Sequence, residues 1–220
     1  MQKKLLERYV SAVMHAPASL NLTAAHDERE FWERHVLDAL RLLELLPKEI
    51  RSKKLEAIDI GSGNGIPGIP IAIAMPDWQV TMLDSNNKKC GFLDMFCNYN
   101  SLKNALVLVG RAEAMARDFS YRDRFDMAFG RALAKLPTAL ELCVPFLKID
   151  GLLMIPHGPS FQKELAVSEN ALHELGANFS QSLIYNLDVN CKLTALIFRK
   201  EKETPDRYPR KSGIPKKHPL

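Results

Sequence analysis

The sequence predicts one α/β domain in which helices cover both faces of a mostly parallel β-sheet. From residue 55 onward, short and nearly all-apolar segments alternate with helical segments. Strands of this kind are typical of a parallel sheet that is buried on both faces. With 220 residues, the chain is long enough for one large core but short for two domains of typical size. The alternation and the length together favour a single sheet.

The predicted strands and helices follow one another in a regular order. Strands are predicted at residues 55–60, 79–83, 105–109, 125–129 and 152–155. Helices are predicted near residues 67–75, 88–99, 111–117, 135–147 and 160–174. Two further strands, at 178–188 and 192–199, flank turn-forming residues at 188–190 and predict an antiparallel hairpin. The hairpin brings the predicted sheet to seven strands.

The ends of the chain differ from this central region. Residues 1–14 can form a short amphipathic helix, and Asp27 with Glu30 forms the pattern of a capping box before a helix that ends at Pro47. We therefore divide the chain into a helical cap at 1–50, a sheet region at 51–200 and a tail at 201–220. Prolines in the tail predict an extended, non-helical conformation.

Composition excludes several classes of protein. The longest apolar stretches are far shorter than the ~18–20 residues of a membrane-spanning helix, so no membrane association is predicted. Charged residues precede any apolar run at the N-terminus, which argues against a secretory signal. The four cysteines lie far apart, at no spacing typical of a zinc or redox site. We therefore expect free thiols, no metal and a cytoplasmic location.

The net charge of +4 is concentrated at the C-terminal end of the chain. From Lys200 onward the chain has seven basic and three acidic residues, which leaves 23 of each sign in the remainder. A short basic tail favours contact with a polyanion, although it can also serve only to keep the chain soluble.

The most informative segment is the glycine-rich stretch from Gly61 to Gly68. It follows a buried strand and opens a helix, which is where doubly wound sheets bind their ligands. Glycines at Gly61, Gly63 and Gly65 permit positive φ and let backbone N–H groups approach a ligand closely. The spacing is G-x-G-x-G, which differs from the G-x-G-x-x-G of dinucleotide-binding folds.

Two acidic residues refine this interpretation. Asp59 precedes Gly61 by two positions, where a carboxylate can help to hold a cationic methionyl group. Asp84 ends the second strand, where a carboxylate can accept hydrogen bonds from both hydroxyls of a ribose. Taken alone, Asp84 is more commonly explained as an exposed strand-end or helix-capping acid. Together with the loop, the two acids indicate S-adenosylmethionine as the cofactor.

Several segments together resemble one known family. The segments IDIGSGNGIPGIP, LDSNNKKCGFL, GRAEAM and RALAKL resemble motifs of the bacterial small-subunit ribosomal RNA methyltransferase G family, formerly called glucose-inhibited division protein B. The segments NLTAAHDEREFWERHVLDAL and YPRKSGIPKKHPL are similar to that family's upstream motifs and basic ending. The resemblance covers roughly residues 20–220 in order, so it is far more specific than a glycine loop.

The resemblance implies a class I S-adenosylmethionine methyltransferase fold with a Rossmann-like sheet, and methyl transfer to guanine N7 in 16S ribosomal RNA. It implies cofactor contacts at Gly61 and Ile66 and places Ala112 and Glu113 beside the adenine. The glycine loop and the resemblance together predict these cofactor-binding residues: Asp59, Gly61, Gly63, Gly65, Ile66, Asp84, Ala112, Glu113 and Arg131.

Arg131 follows the fourth predicted strand, at the mouth of the expected site. We hypothesise that it binds phosphate or orients the methionyl carboxylate, because a guanidinium beside the reacting base would oppose the charge that methylation creates there. The alternative is a structural ion pair at the end of a strand.

The predicted partner is 16S ribosomal RNA or the small ribosomal subunit, bound by a monomer. The residues predicted to contact RNA are Arg34, His35, Lys88, Arg111, Arg207, Arg210 and Lys211. For His35, the alternative is a structural histidine bonded to Asp38, one helical turn away.

No catalytic side chain is predicted. Guanine N7 presents an in-plane lone pair and has no proton to lose, so methyl transfer requires alignment rather than a general base. Good orientation can contribute roughly 7–11 kcal/mol toward lowering a barrier.

Three other functions remain open from the sequence. A nicotinamide-dependent oxidoreductase has a related loop, but it needs a different glycine spacing and a hydride-transfer site. The other two are a methyltransferase of another RNA, a small molecule or a protein, and a non-catalytic RNA-binding assembly factor.

Overall fold

The computed structural model describes residues 2–158, 161–187 and 191–220. Its strands form one seven-stranded sheet. They are β1 (Glu56–Ile60), β2 (Gln79–Asp84), β3 (Ala105–Val109), β4 (Phe125–Phe129), β5 (Leu147–His157), β6 (Ala177–Asn186) and β7 (Lys192–Lys200). The strand order is β3-β2-β1-β4-β5-β7-β6. The first five strands pair in parallel, whereas β7 pairs antiparallel with both β5 and β6. The predicted α/β class and the closing hairpin are confirmed.

Helices precede the sheet and connect its strands. They are α1 (Gln2–Met14), α2 (Glu28–Phe31), α3 (Leu37–Glu44), α4 (Lys48–Arg51), α5 (Gly68–Ala74), α6 (Asn87–Tyr99), α7 (Ala112–Met115), α8 (Leu136–Cys143), α9 (Phe161–Ala166), α10 (Glu169–Leu175) and α11 (Ile214–Lys217). A π-helical turn at Trp32–Val36 joins α2 to α3.

The sheet separates two apolar cores. On one face, α1, α3, α5 and α6 pack against the strands, and Tyr9 lies edge-on against Phe31 and Phe96. On the other face, α8 and α10 pack against the strands, with Phe146 and Phe198 fully buried. Coverage of both faces explains why the strands in the middle of the sheet are almost entirely apolar.

The register of the parallel strands brings their carboxyl ends to one edge. Ile60 of β1 lies opposite Leu83 of β2, and Asp84 lies opposite Val109 of β3. The segments that follow these strands therefore meet at the same edge, where open α/β sheets bind ligands.

The start of the α2 helix follows the predicted capping pattern. The side chain of Asp27 accepts a hydrogen bond from Glu30 N at 2.7 Å, and Glu30 Oε2 accepts one from His26 N at 2.8 Å. The Glu30 side chain thus reaches one residue before the N-cap rather than the N-cap itself. Both contacts satisfy N–H groups that have no partner within a helix.

Three predicted boundaries are wrong. The helix predicted at 135–147 ends at Cys143 and is followed by a 3₁₀ turn, Val144–Phe146, that contains a proline. The fifth strand is longer than the predicted 152–155. The prediction missed its first part because that part includes the polar residues Lys148 and Asp150. The helix predicted at 160–174 breaks between α9 and α10, where the buried Ser168 donates its hydroxyl to Glu164 O at 2.6 Å.

The tail also differs from its prediction. It contains one helical turn, α11, and it packs against the domain rather than extending from it: Tyr208 is buried in the second core. The turn predicted at 188–190 lies outside the described residues. The domain boundaries at 50 and 200 remain a prediction.

Asn104 fixes the connection between α5 and β2. Its Nδ2 group lies within hydrogen-bonding distance of three carbonyl oxygens, those of Ala72 at 2.9 Å, Met75 at 3.2 Å and Trp78 at 3.0 Å. Replacing Asn104 with Ala leaves these acceptors without the amide. We expect the free energy of unfolding in urea to fall by about 1–3 kcal/mol.

The matched control is Asn98→Ala, which removes an exposed amide on α6 whose side chain contacts only Asp94 among the described residues. We expect this variant to stay within about 0.5 kcal/mol of the wild type. Equal unfolding midpoints for the two variants would show that Asn104 does not stabilise the connection between α5 and β2.

Candidate functional site

The loop between β1 and α5 is fixed by hydrogen bonds to the end of β2. Gly61 N and Ser62 N both donate to Leu83 O, at 2.8 and 3.1 Å. Gly63 N donates to Asp84 Oδ2 at 2.8 Å. These hydrogen bonds within the protein hold the loop against the neighbouring strand.

The glycines of this loop adopt the conformations that the sequence predicted. Gly61, Gly63 and Gly65 have φ values of 74°, 55° and 101°. Two features exclude a side chain at Gly61: its φ is positive, and a Cβ would lie 2.6 Å from Leu133 Cδ1. Ala132, which precedes Leu133, also has positive φ, 50°, a conformation that is strained for a residue other than glycine.

Asp84 joins the loop to the next helix. Its Oδ2 accepts from Gly63 N, and its Oδ1 accepts from Asn86 N at 2.8 Å. Asn86 is in turn the N-cap of α6, where its side chain accepts from Lys88 N at 3.0 Å. Each carboxylate oxygen of Asp84 thus retains acceptor capacity for a ligand hydroxyl.

Asp59 lies beneath the loop and is fully buried. Its Oδ2 accepts from Gly68 N at 3.0 Å, whereas its Oδ1 has no hydrogen-bond partner among the described residues. Burial raises the pKa of Asp59 to about 7, and the hydrogen bond from Gly68 only partly opposes this effect. The site thus contains a carboxyl group with one unsatisfied oxygen.

A cavity of about 350 Å³ opens beside the loop, at the carboxyl edge of the sheet. This volume is within the usual range for small-molecule sites. Its wall includes Gly61, Asp84, Arg111, Ala112 and Glu113, which are residues that the sequence analysis selected. A larger and more apolar groove lies between α1 and α6, but none of the predicted site residues lines it.

Other predicted cofactor residues lie outside the cavity wall. The side chain of Ile66 is 4% exposed and packs in the first core, so only its main chain is available to a ligand. Asp59 lies beneath the loop, and Gly63 and Gly65 belong to the loop, but none of the three lines the cavity. Their roles in cofactor binding remain predictions.

Arg131 forms the ion pair that was considered as its structural alternative. Its Nε donates to Asp38 Oδ2 at 3.0 Å, and Asp38 Oδ1 accepts from Tyr185 Oη at 2.6 Å. These contacts join α3, the end of β4 and β6 around a carboxylate that is 1% exposed. A buried carboxylate requires such compensation.

His35 bonds to a different partner from the one expected. Its Nδ1 lies 3.0 Å from Arg131 Nη2, whereas Asp38 is occupied by Arg131 and Tyr185. Burial and the nearby Arg131 guanidinium lower the pKa of His35, so the neutral ring accepts this hydrogen bond. This is a structural contact of the histidine, but with the arginine rather than with Asp38, and RNA contact by His35 remains a prediction.

The other predicted RNA contacts fall into two groups. Lys88, Arg111 and Lys211 are exposed. By contrast, three arginines have carboxylate partners: Arg34 pairs with Glu30 at 3.0 Å, Arg207 with Glu174 at 2.7 Å and Arg210 with Glu141 at 2.6 Å. Glu141 is fully buried, so the Arg210 pair is a structural contact. RNA binding by any of these residues remains a prediction.

Most residues of the cavity wall were not selected from the sequence. Leu133, Ala134, Thr138 and Leu142 come from the segment after β4, and Gly213, Pro215 and Lys216 come from the tail. Leu133 and Ala134 belong to the RALA motif itself, and Thr138 and Leu142 lie shortly after it, so their position was available from the sequence. The tail residues lie in the basic segment that resembles the family's ending, but no local pattern shows that this segment contacts Glu113 and Thr138, which precede it by 100 and 77 residues.

Two kinds of feature are absent from the described residues. No helix there is long and apolar enough to cross a membrane. In the same part of the chain, no group of His, Cys, Asp and Glu side chains could hold a metal ion.

Comparison with known proteins agrees with this architecture. The structure of M. jannaschii TYW2 in complex with AdoMet superposes with a TM-score of 0.58 at 14% identity, covering 76% of each chain. Ribosomal RNA small subunit methyltransferase G of Oenococcus oeni is 36% identical over 98% of this chain and 88% of its own. The protein of the same name from Lactococcus lactis subsp. lactis is 35% identical over 100% of this chain and 91% of its own.

The sheet order, the glycine loop and the cavity define the class I S-adenosylmethionine-dependent methyltransferase fold. Residues 2–186 also match the sequence profile of the family described as rRNA small subunit methyltransferase G. The chain belongs to that family.

The raised pKa of Asp59 predicts a pH-dependent stability. The folded chain holds this proton to a higher pH than the unfolded chain, whose aspartates have a pKa near 3.9. The Asp59 contribution to the free energy of unfolding therefore falls as pH rises. We expect a decrease of roughly 2–3 kcal/mol between pH 5 and pH 8, relative to Asp59→Asn.

The measurement is urea unfolding of both proteins at unit steps of pH. The variant serves as the control for all other titrating groups. A difference between the two proteins that does not change with pH would mean that Asp59 titrates normally.

Proposed function

We propose that this protein transfers the methyl group of S-adenosylmethionine to guanine N7 of 16S ribosomal RNA, as a monomer in the cytoplasm. The observation that carries the proposal is the nearly full-length match to relatives named ribosomal RNA small subunit methyltransferase G. The choice of N7 rests on the motifs that resemble this family.

The residues around the cavity fit such a cofactor. At Gly61 a Cβ would clash with Leu133, so this part of the wall requires glycine, and the buried Asp59 carboxyl beneath the loop has one oxygen without a partner among the described residues. Asp84 retains acceptor sites for ribose hydroxyls, and Ala112 and Glu113 lie where the adenine is expected. Cofactor binding would thus use both the wall of the cavity and the carboxylate beneath it.

The chemistry requires little from protein side chains. The bound cofactor supplies an activated methyl group on a sulfonium sulfur. Guanine N7 attacks with a lone pair and loses no proton, so the protein contributes by aligning the two groups and excluding water. This accounts for a site without an evident general base.

The exposed basic residues near the cavity suit an RNA substrate. Arg111 lines the cavity, and Lys88 lies on the first turn of α6, directly after the Asp84 strand end. Basic side chains at such a mouth can bind phosphates and thereby fix the register of the strand. We assign RNA contact to these residues and to Lys211, and not to Arg210, whose guanidinium is paired with Glu141.

Mapping of 7-methylguanosine in ribosomal RNA tests the proposed reaction. We expect 16S RNA from cells lacking this protein to lose one such mark, and the purified protein to restore it with labelled S-adenosylmethionine. Naked RNA, assembling subunits and mature subunits are compared as substrates.

Persistence of every guanine N7 mark in those cells would refute the substrate assignment. Labelling of another RNA or of a small molecule instead would favour the other methyltransferases considered. Binding of RNA without any labelling would favour an assembly factor.

Asp84→Ala tests the cofactor site separately from the RNA. The variant loses a charged acceptor for the ribose and the anchor for Gly63 N. Loss of a hydrogen bond to a charged group costs about 1.5–3 kcal/mol, so we expect the Kd for S-adenosylhomocysteine to rise roughly 10–100-fold in calorimetry.

Asp77→Ala is the charge-matched control, because Asp77 is an exposed acid just before the opposite end of β2. It is expected to bind S-adenosylhomocysteine like the wild type. An unchanged Kd for Asp84→Ala would place the ribose elsewhere.

A further inference from the structure

The C-terminal segment 204–218, here called the strap, is anchored along its whole length to the second face of the domain. At its start, the guanidinium of Arg122 donates to the carbonyl oxygens of Thr204 and Tyr208. The Arg117 guanidinium donates to Pro209 O at 2.7 Å. Because these contacts are made to the backbone of the strap, they fix its path rather than one side chain.

A buried ion pair anchors the middle of the strap. Arg210 places Nε 2.9 Å from Glu141 Oε1 and Nη2 2.6 Å from Glu141 Oε2, a two-pronged geometry with strong directional preference. Glu141 is fully buried on α8. Arg210 Nη2 also donates to His218 O at 2.7 Å, which closes the strap onto itself.

The end of the strap bridges two sides of the cavity. Gly213 N donates to Glu113 Oε1 at 3.0 Å, on the β3 side. Thr138 Oγ1 donates to Pro215 O at 2.8 Å, on the α8 side. Gly213, Pro215 and Lys216 consequently form part of the cavity wall, although they lie outside residues 2–186 that match the family profile.

Two basic side chains of this wall have no role in binding the cofactor. Arg111 and Lys216 both line the cavity and are exposed, and neither side chain has an ion-pair partner in the part of the chain that the structure describes. S-adenosylmethionine is a net cation at neutral pH, because its sulfonium and ammonium groups outnumber its carboxylate. A pair of cations at the mouth of its site instead suits an anion that arrives with the substrate.

We propose that the strap is a built wall of the methyl-transfer site and that Lys216, together with Arg111, binds a phosphate of the RNA strand beside the target base. The inference rests on the proposed function and deepens it, because it identifies where the substrate backbone lies. The anchors on Glu113, Thr138 and Glu141 hold Lys216 in place for this contact.

The test is the salt dependence of RNA recognition by Lys216→Ala. Loss of one phosphate contact on a single strand reduces the slope of log affinity against log salt by about 0.7, which corresponds to about 5-fold weaker binding at 0.1 M salt. We expect the KM for RNA to change by these amounts, whereas the Kd for S-adenosylhomocysteine stays within about 2-fold. Lys216→Arg is expected to restore most of the affinity.

Lys217→Ala is the matched control, because it removes the same charge from the neighbouring exposed position, which does not line the cavity. We expect it to keep the wild-type slope. Equal slopes for Lys216→Ala and the wild type would overturn the inference, and so would equal slope losses in the Lys216 and Lys217 variants.

Direct RNA binding with S-adenosylhomocysteine present separates this inference from the proposed function. If the wild type binds RNA but does not methylate it, the proposed reaction fails, and the binding slopes still decide the role of Lys216. If the wild type neither binds nor methylates RNA, both proposals are refuted.

Discussion

The hydrogen bonds between the glycine loop and the end of β2 determine the geometry of the whole site. They depend on the pairing of Ile60 with Leu83, which brings the loop next to the Leu83 carbonyl and the Asp84 carboxylate. A one-residue slip in a strand turns every side chain to the opposite face, so the apolar burial on both faces protects this register. The packing of the two cores thereby fixes the loop, the start of α6 and the floor of the cavity.

A second interaction orients the N-terminal helices relative to that cavity. Asp38, Arg131 and Tyr185 come from three distant parts of the chain, and the Asp38 carboxylate satisfies both of the others. Breaking such a buried pair costs far more than the intact pair contributes, since it leaves a charge without compensation. The cluster therefore contributes more to the orientation of α3 on the sheet than to the free energy of unfolding.

The sequence predicted the sheet closely because buried parallel strands have a simple signature. The strands at 105–109 and 125–129 match to the residue. The longer β5 was missed because Lys148 and Asp150 interrupt the apolar run before Gly151. In the site, Asp84 was predictable from its place at a strand end. The pairing of Arg131 with Asp38 was not, because the partners lie 93 residues apart and periodicity carries no information on such contacts.

The electrostatics of the site also explain why both signs of charge occur within one cavity. Asp59 and Asp84 lie below and beside the loop, whereas Arg111 and Lys216 lie at the outer wall. The acids accept hydrogen bonds from backbone N–H groups, whereas neither cation has an ion-pair partner among the described residues. A cationic cofactor and an anionic nucleic acid can then be held side by side, each facing charges of the opposite sign.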